Sequence, residues 1–234
     1  GAKRVALTHE VHPGIPRCAA FEPMQERDVR TIEKDRFWAK EYTFATPYGT
    51  HVDAPGHFAA GKRLISGIGV DELILPLNVL HLEDKVAADP DYAVTADDIA
   101  AFEAEHGTIE PGSFVAFSSG WSTRWEDPDA FVNLDEDGVQ HTPGWSLEAL
   151  HVLIDDRRVA AIGHETLDTD PGVAVAESGF LYGELYVLEQ DIYQIEVLDN
   201  LVQVPATGAV IVVGPANIKG APSITSRVYA LFQE

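Results

Sequence analysis

The chain has 234 residues, 45% hydrophobic and 23% charged, the composition of a globular protein with a core of its own. Sixteen basic against 38 acidic residues leave a formal charge of −22, and without a basic footprint nucleic acid and anionic membrane surfaces are excluded as partners. No apolar run reaches the roughly 20 residues of a membrane span.

The lone Cys18 has no partner for an internal disulfide. The stretch Gly1-Ala2-Lys3-Arg4-Val5 lacks a methionine and the apolar core of a signal peptide. A trimmed or engineered start and a cytoplasmic, reducing setting are therefore expected.

Residues 5–11 read as a first strand, closed by Pro13-Gly14. The segment 15–40, with Pro16, Pro23 and a charged run ending at Phe37-Trp38, reads as irregular. Residues 41–46 form the next predicted strand, and 72–83 supply one or two more, with Pro76 weakening the middle. Thr95-Ala96-Asp97-Asp98 opens a helix over 96–106, which Gly107 stops. Ser113 to Phe117 is a short buried strand, and 122–145 is again irregular.

Ser146 caps a second helix, with Trp145 and Leu150 placed as a hydrophobic staple and Leu147, Leu150 and Ile154 on one apolar face. The strand 159–163 runs out into a polar loop from His164 to Gly172. A third helix is predicted over 183–194, with Leu185, Leu188, Ile192 and Ile195 on its packed face, and strands at 209–213 and 226–232 end the chain. Strands and helices alternate without a linker or repeat. The expectation is one α/β domain over 1–234, built on a mixed sheet.

The densest chemistry lies in Thr46-Pro47-Tyr48-Gly49-Thr50-His51-Val52-Asp53-Ala54-Pro55-Gly56-His57-Phe58. In an extended chain, the step from His51 to Asp53 points an imidazole and a carboxylate to the same side. That pair suits a divalent cation such as zinc or manganese. Pro55 and Gly56 then bend the chain, so His57 can return to the same place. No Gly-x-Ser-x-Gly elbow and no glycine-rich nucleotide loop occurs.

The run Gly49 to Phe58 resembles the signature of the cyclase-like metal-dependent hydrolases, the family of bacterial kynurenine formamidases and isatin hydrolases. Leu7-Thr8-His9-Glu10, Ser119-Gly120-Trp121, Pro143-Gly144-Trp145-Ser146, Ile195 to Leu201 and Gly220-Ala221-Pro222-Ser223 resemble further landmarks of that family. The resemblance implies a swivelling β/β/α domain, homodimers or homotetramers, and hydrolysis of a carbon–nitrogen amide bond. It implies that His51 and Asp53 are metal ligands, that Glu196 is a late carboxylate ligand, and that His57 is the acid–base histidine.

Two positions depart from the pattern. Pro47 stands where the family has a further histidine ligand, and Glu184 stands where the formamidases have a histidine twelve residues before the late glutamate. With Glu184 as a ligand the site becomes richer in oxygen, and manganese becomes as plausible as zinc. On one straight helix twelve residues span about 18 Å, so Glu184 and Glu196 share a metal only if the chain leaves the helix between them. The β-branched run Gln194 to Leu198 allows that.

These departures favour a hydrolase that opens a cyclic amide, in the manner of an isatin hydrolase or a γ-lactamase. The alternatives are an arylformamidase acting on N-formylkynurenine, and a relative that binds a small molecule without turnover. Trp38, Phe58 and Trp121 are candidate walls for a cyclic substrate. His164 and Glu165, after a buried strand, read first as a hydrogen-bonded pair at the strand end and second as catalytic residues.

Overall fold

In the computed structural model, which describes residues 1–233, the chain begins with strands β1 (Ala2–Ala6), β2 (Gln25–Arg30), β3 (Ala39–Thr43), β4 (His51–Asp53), β5 (Ile74–His81) and β6 (Ala93–Val94). It continues with β7 (Phe114–Ser118), β8 (Gly144–Trp145), β9 (Ala161–His164), β10 (Tyr193–Glu196), β11 (Ala209–Pro215) and β12 (Ser223–Gln233). The helices are α1 (Ile32–Asp35), α2 (Glu83–Ala88), α3 (Ala96–His106), α4 (Pro128–Val132), α5 (Leu147–His151), α6 (Gly172–Ser178) and α7 (Tyr182–Glu189). None of the described helices is long and apolar enough to cross a membrane.

Seven strands close into a ring in the order β12-β11-β5-β7-β9-β10-β4 and back to β12, with β1 alongside β12. β12 serves both neighbours on one edge: residues 223–225 pair with β4 and residues 229–233 with β1. The β5-β7-β9-β10 run is parallel and the remaining ring pairs are antiparallel. This is the mixed sheet expected from the alternation of strands and helices.

Parallel strands are covered on both faces and so carry apolar side chains to both. In β7, Phe114 and Ala116 join the inner core with Val52, Leu77 and Ile195. Val115 and Phe117 point out and are covered by Ile99 and Phe102 of α3 and Leu150 of α5. Pro76 fits inside β5 because it lies opposite Val210 at a non-hydrogen-bonded position of the β11 ladder, and on its other side pairing with β7 begins one residue later, at Leu77. Its missing N–H therefore costs no ladder bond.

α3 begins and ends where its caps predict. The Thr95 hydroxyl accepts from Asp98 N–H at 3.1 Å, and the Asp98 carboxylate accepts from Thr95 N–H at 2.8 Å. Replacing Thr95 with alanine removes half of that box; a loss of about 1 kcal/mol is expected. In a thermal melt this reads as a fall of about 2–4 °C.

Three predicted elements are corrected. The stretch 15–40 is not wholly irregular, because β2 and β3 form an antiparallel hairpin around α1. α5 is capped by Ser146, whose hydroxyl accepts from Ala149 N–H at 3.0 Å, but Leu147 is 45% exposed and leaves the apolar face to Leu150 and Ile154. The third helix stops at Glu189, and residues 193–196 are strand rather than helix.

Candidate metal centre and active site

Sheet register builds the site. β4 and β10 are antiparallel, with His51 opposite Glu196 and Asp53 opposite Gln194. Alternation sends Val52 and Ile195 into the ring and these four polar side chains out on one face. Residues directly opposite in such a pair have Cβ atoms about 4.5–5.5 Å apart. One ligand atom each from His51, Asp53 and Glu196 lies within 4.8 Å of the others.

The donor set fits a divalent cation. Gly49, at φ +66°, adopts the left-handed conformation that glycine takes without strain, and its carbonyl accepts from His51 Nδ1–H at 2.8 Å. A carbonyl only accepts, so Nδ1 holds its proton there and Nε2 is the nitrogen left to bind a cation. That atom lies 3.4 Å from Asp53 Oδ1 and 3.2 Å from Glu196 Oε2. His51 Nε2 and Asp53 Oδ1 are buried and have no hydrogen-bond partner among the described residues.

Such orphaned polar atoms are costly unless something charged joins them. Burial alone would lower the His51 pKa, yet the Asp53 and Glu196 carboxylates hold it well above the usual histidine range. A bound cation would take the place of that proton. Three protein ligands leave room for water and substrate, as in catalytic rather than structural sites. Pro47 adds no ligand to the three.

Further carboxylates crowd the same space. Burial and the charges of Glu196 and Asp170 push the Asp168 carboxyl up to about 7. Burial first, then Glu196 and Asp53, raise Glu184 well above the ordinary glutamate range. Glu184 thus lies in the electrostatic reach of the site but outside the group of three. The Asp170 carboxylate accepts from the Gly183 and Glu184 N–H groups at 2.6 and 3.0 Å, holding the first turn of α7. Glycine at 183 allows this approach, since a Cβ there would stand 3.0 Å from both Asp170 oxygens.

His57 lies in the short 3₁₀ turn after β4, with Nε2 3.8 Å from Asp53 Oδ1 and 23% of its side chain exposed. Phe58 meets it edge-on at 5.1 Å, so these two predicted residues are together at the site. Trp38 is elsewhere: it is 62% exposed on the β2–β3 hairpin, and its indole donates to Asp28 at 2.6 Å. Trp121 is 1% exposed and donates to the Phe131 carbonyl at 2.8 Å, which makes it a core residue and not a pocket wall.

A cleft of about 580 Å³ reaches Asp168, walled by Ile15, Pro16, Val132, Leu134 and Leu167. Its walls come from α4 and from loops, in segments that the sequence reading did not assign to helix or strand. Sequence reasoning also missed Gln194, whose Nε2–H donates to Asp53 Oδ2 and Glu196 Oε1, both at 3.2 Å. Two-residue spacing between Gln194 and Glu196 on a strand was the available signal. His164, the last residue of β9, faces Glu196, while Glu165, just past the strand end, turns away and accepts from the Ser119 and Trp121 N–H groups.

A closed mixed ring with an outward His–Asp–Glu group defines a class of metal-dependent α/β hydrolase. Comparison with known proteins agrees. The Cyclase family profile matches residues 5–171. Isatin hydrolase of Roseibium aggregatum is 35% identical over 187 residues, 78% of this chain and 70% of that protein.

The structure of isatin hydrolase A from Ralstonia solanacearum superposes with a TM-score of 0.92 at 30% identity, covering 99% of this chain and 92% of that one. An isatin hydrolase solved with the product analogue thioisatinate gives 0.92 at 29% identity, covering 100% and 93%. The chain belongs to the cyclase family, and it is a metal-dependent amide hydrolase similar to the isatin hydrolases.

Proposed function

We propose that this enzyme hydrolyses a cyclic amide, opening an isatin- or γ-lactam-like ring with zinc or manganese held by His51, Asp53 and Glu196. The observation that carries the reading is the pair of buried, unpartnered atoms His51 Nε2 and Asp53 Oδ1 facing Glu196 Oε2. A divalent cation supplies Lewis acidity toward the amide carbonyl and makes water more acidic.

His57 does the proton work. It takes the proton from the attacking water as the new carbon–oxygen bond forms, and returns it to the nitrogen as the carbon–nitrogen bond breaks. The products are an amine and a carboxylate on one opened molecule. Phe58 holds the His57 ring edge-on, and the apolar cleft beside Asp168 is of a size that accepts a small bicyclic ring. Burial and the neighbouring charges of Glu196 and Asp53 favour the neutral form of Glu184, which limits the negative charge around the ligands.

The same reading places the enzyme in the cytoplasm, as a homodimer or homotetramer. The hairpin side chains Ile32, Phe37, Trp38 and Tyr42, all more than half exposed, support association between copies. A panel of isatin, a bicyclic γ-lactam and N-formylkynurenine, each assayed with Mn²⁺ and Zn²⁺, tests the activity. Ring opening is expected to dominate. Preferred turnover of the formamide would overturn the substrate class, and binding without turnover would mark a non-catalytic relative.

A further inference from the structure

Glu196 offers two oxygens, and only one can be left free of donors for a cation. Oε1 accepts from Gln194 Nε2–H at 3.2 Å and lies 3.3 Å from His164 Nε2. Oε2 is the oxygen facing His51 Nε2. The orientation of the carboxylate therefore depends on His164 presenting a proton, not a lone pair, to Oε1.

A neutral imidazole carries its proton on either nitrogen, and the partner of the other nitrogen decides which. Here that partner is Trp145, whose Nε1 lies 3.3 Å from His164 Nδ1. An indole N–H donates and cannot accept, so Nδ1 must keep its lone pair and Nε2 must hold the proton. His164 is 0%, Trp145 1% and Glu196 4% exposed, which leaves little access for water to serve either nitrogen instead.

Trp145 is itself fixed. Its backbone N–H donates to the Thr169 carbonyl at 2.8 Å, it pairs with Val94 in the β6–β8 ladder, and its ring meets Phe117 edge-on at 5.7 Å. Gly144 lets that strand lie against the 169–171 backbone, since a Cβ there would fall 2.4 Å from Pro171 N.

We infer that Trp145 is a positioning residue: through the tautomer of His164 it sets which oxygen of Glu196 faces the metal. With the opposite tautomer, a nitrogen lone pair would confront Oε1, and the carboxylate would lose one of its two fixed donors. Groups that orient a ligand in this way are worth about 10–100-fold in metal affinity. The inference rests on the proposed metal role of Glu196, but its main readout is made without metal.

Long-range ¹H–¹⁵N spectra of the metal-stripped, ¹⁵N-histidine-labelled full chain decide it, with the His164 ring assigned by its absence in His164→Gln. The expected spectrum has a bare Nδ1 and a protonated Nε2 at His164; a protonated Nδ1 overturns the inference. Trp145→Phe is expected to lose the single tautomer and to weaken Mn²⁺ binding about tenfold. Unchanged tautomer and affinity in that variant would overturn it as well. His164→Gln, which keeps a side-chain N–H for Glu196, should bind Mn²⁺ more tightly than His164→Leu, and equal affinities would count against the relay. Should Trp145→Phe fail to fold, a protonated Nδ1 in the wild-type spectrum still overturns the inference. A wild-type chain that shows the expected tautomer yet binds no Mn²⁺ or Zn²⁺ sinks the proposed hydrolase and leaves the tautomer control standing.

Discussion

Alanine in place of His57 is expected to lower kcat by about 10²–10⁴-fold while the metal content of the purified protein stays at the wild-type level. The position of His57 explains both halves of that result. It lies in the turn after β4 and is not one of the three converging ligand residues, so its removal leaves His51, Asp53 and Glu196 in register. It is also the one of these histidines with substantial exposure, where it can meet water and the departing nitrogen of a substrate. Turnover assays paired with elemental analysis check this. Loss of metal together with activity would make His57 a ligand instead of the acid–base group.

Stripping the metal is expected to lower the melting temperature, and the loss should widen as pH rises. A ligand present at 1,000 times its dissociation constant stabilises by about 4.1 kcal/mol. At about 2–4 °C per kcal/mol, that is a shift of about 8–16 °C.

The pH dependence follows from the raised carboxyls. A carboxyl whose folded pKa exceeds its unfolded value favours the fold at low pH and disfavours it once ionised. For Asp168, that change spans the interval from its ordinary value near 3.8 up to about 7. Glu184 and Asp170 shift in the same direction, and the raised His51 also loses its contribution as pH rises. Melts with and without chelator at pH 5 and pH 8 should show the larger gap at pH 8. Asp168→Asn should raise the melting temperature of the stripped protein at pH 8 and change it little at pH 4. A gap independent of pH would mean that these carboxyls are relieved by water rather than by the cation.

Much of the chemistry could be read locally. His51, Asp53 and His57 lie within one short stretch, and a strand followed by a Pro-Gly bend is enough to group them. α3 was legible because its box and its terminal glycine are adjacent in sequence. The rest depended on pairing between distant strands. Gln194 and Glu196 come beside Asp53 and His51 only through the β4–β10 register, and nothing near residue 194 announces that partner.

The helix predicted over 183–194 ran too long because Leu185, Leu188 and Ile192 keep helical spacing. The same region also alternates, with Tyr193 and Ile195 turned into the ring and Gln194 and Glu196 turned out. The β2 strand escaped notice because nearly all of it is solvated: Gln-Glu-Arg-Asp carries no apolar alternation to betray a strand. The departure at Pro47 removed one expected ligand without removing the site, because Glu196 reaches it from the neighbouring strand.

β4 is only three residues long, yet it is the strand through which the ring closes, between β10 and β12. A cation held by His51 and Asp53 on β4 and by Glu196 on β10 would act as a clasp across that seam. Removal of the metal is then expected to speed solvent exchange of the backbone amides of 51–53, the strand that closes the barrel.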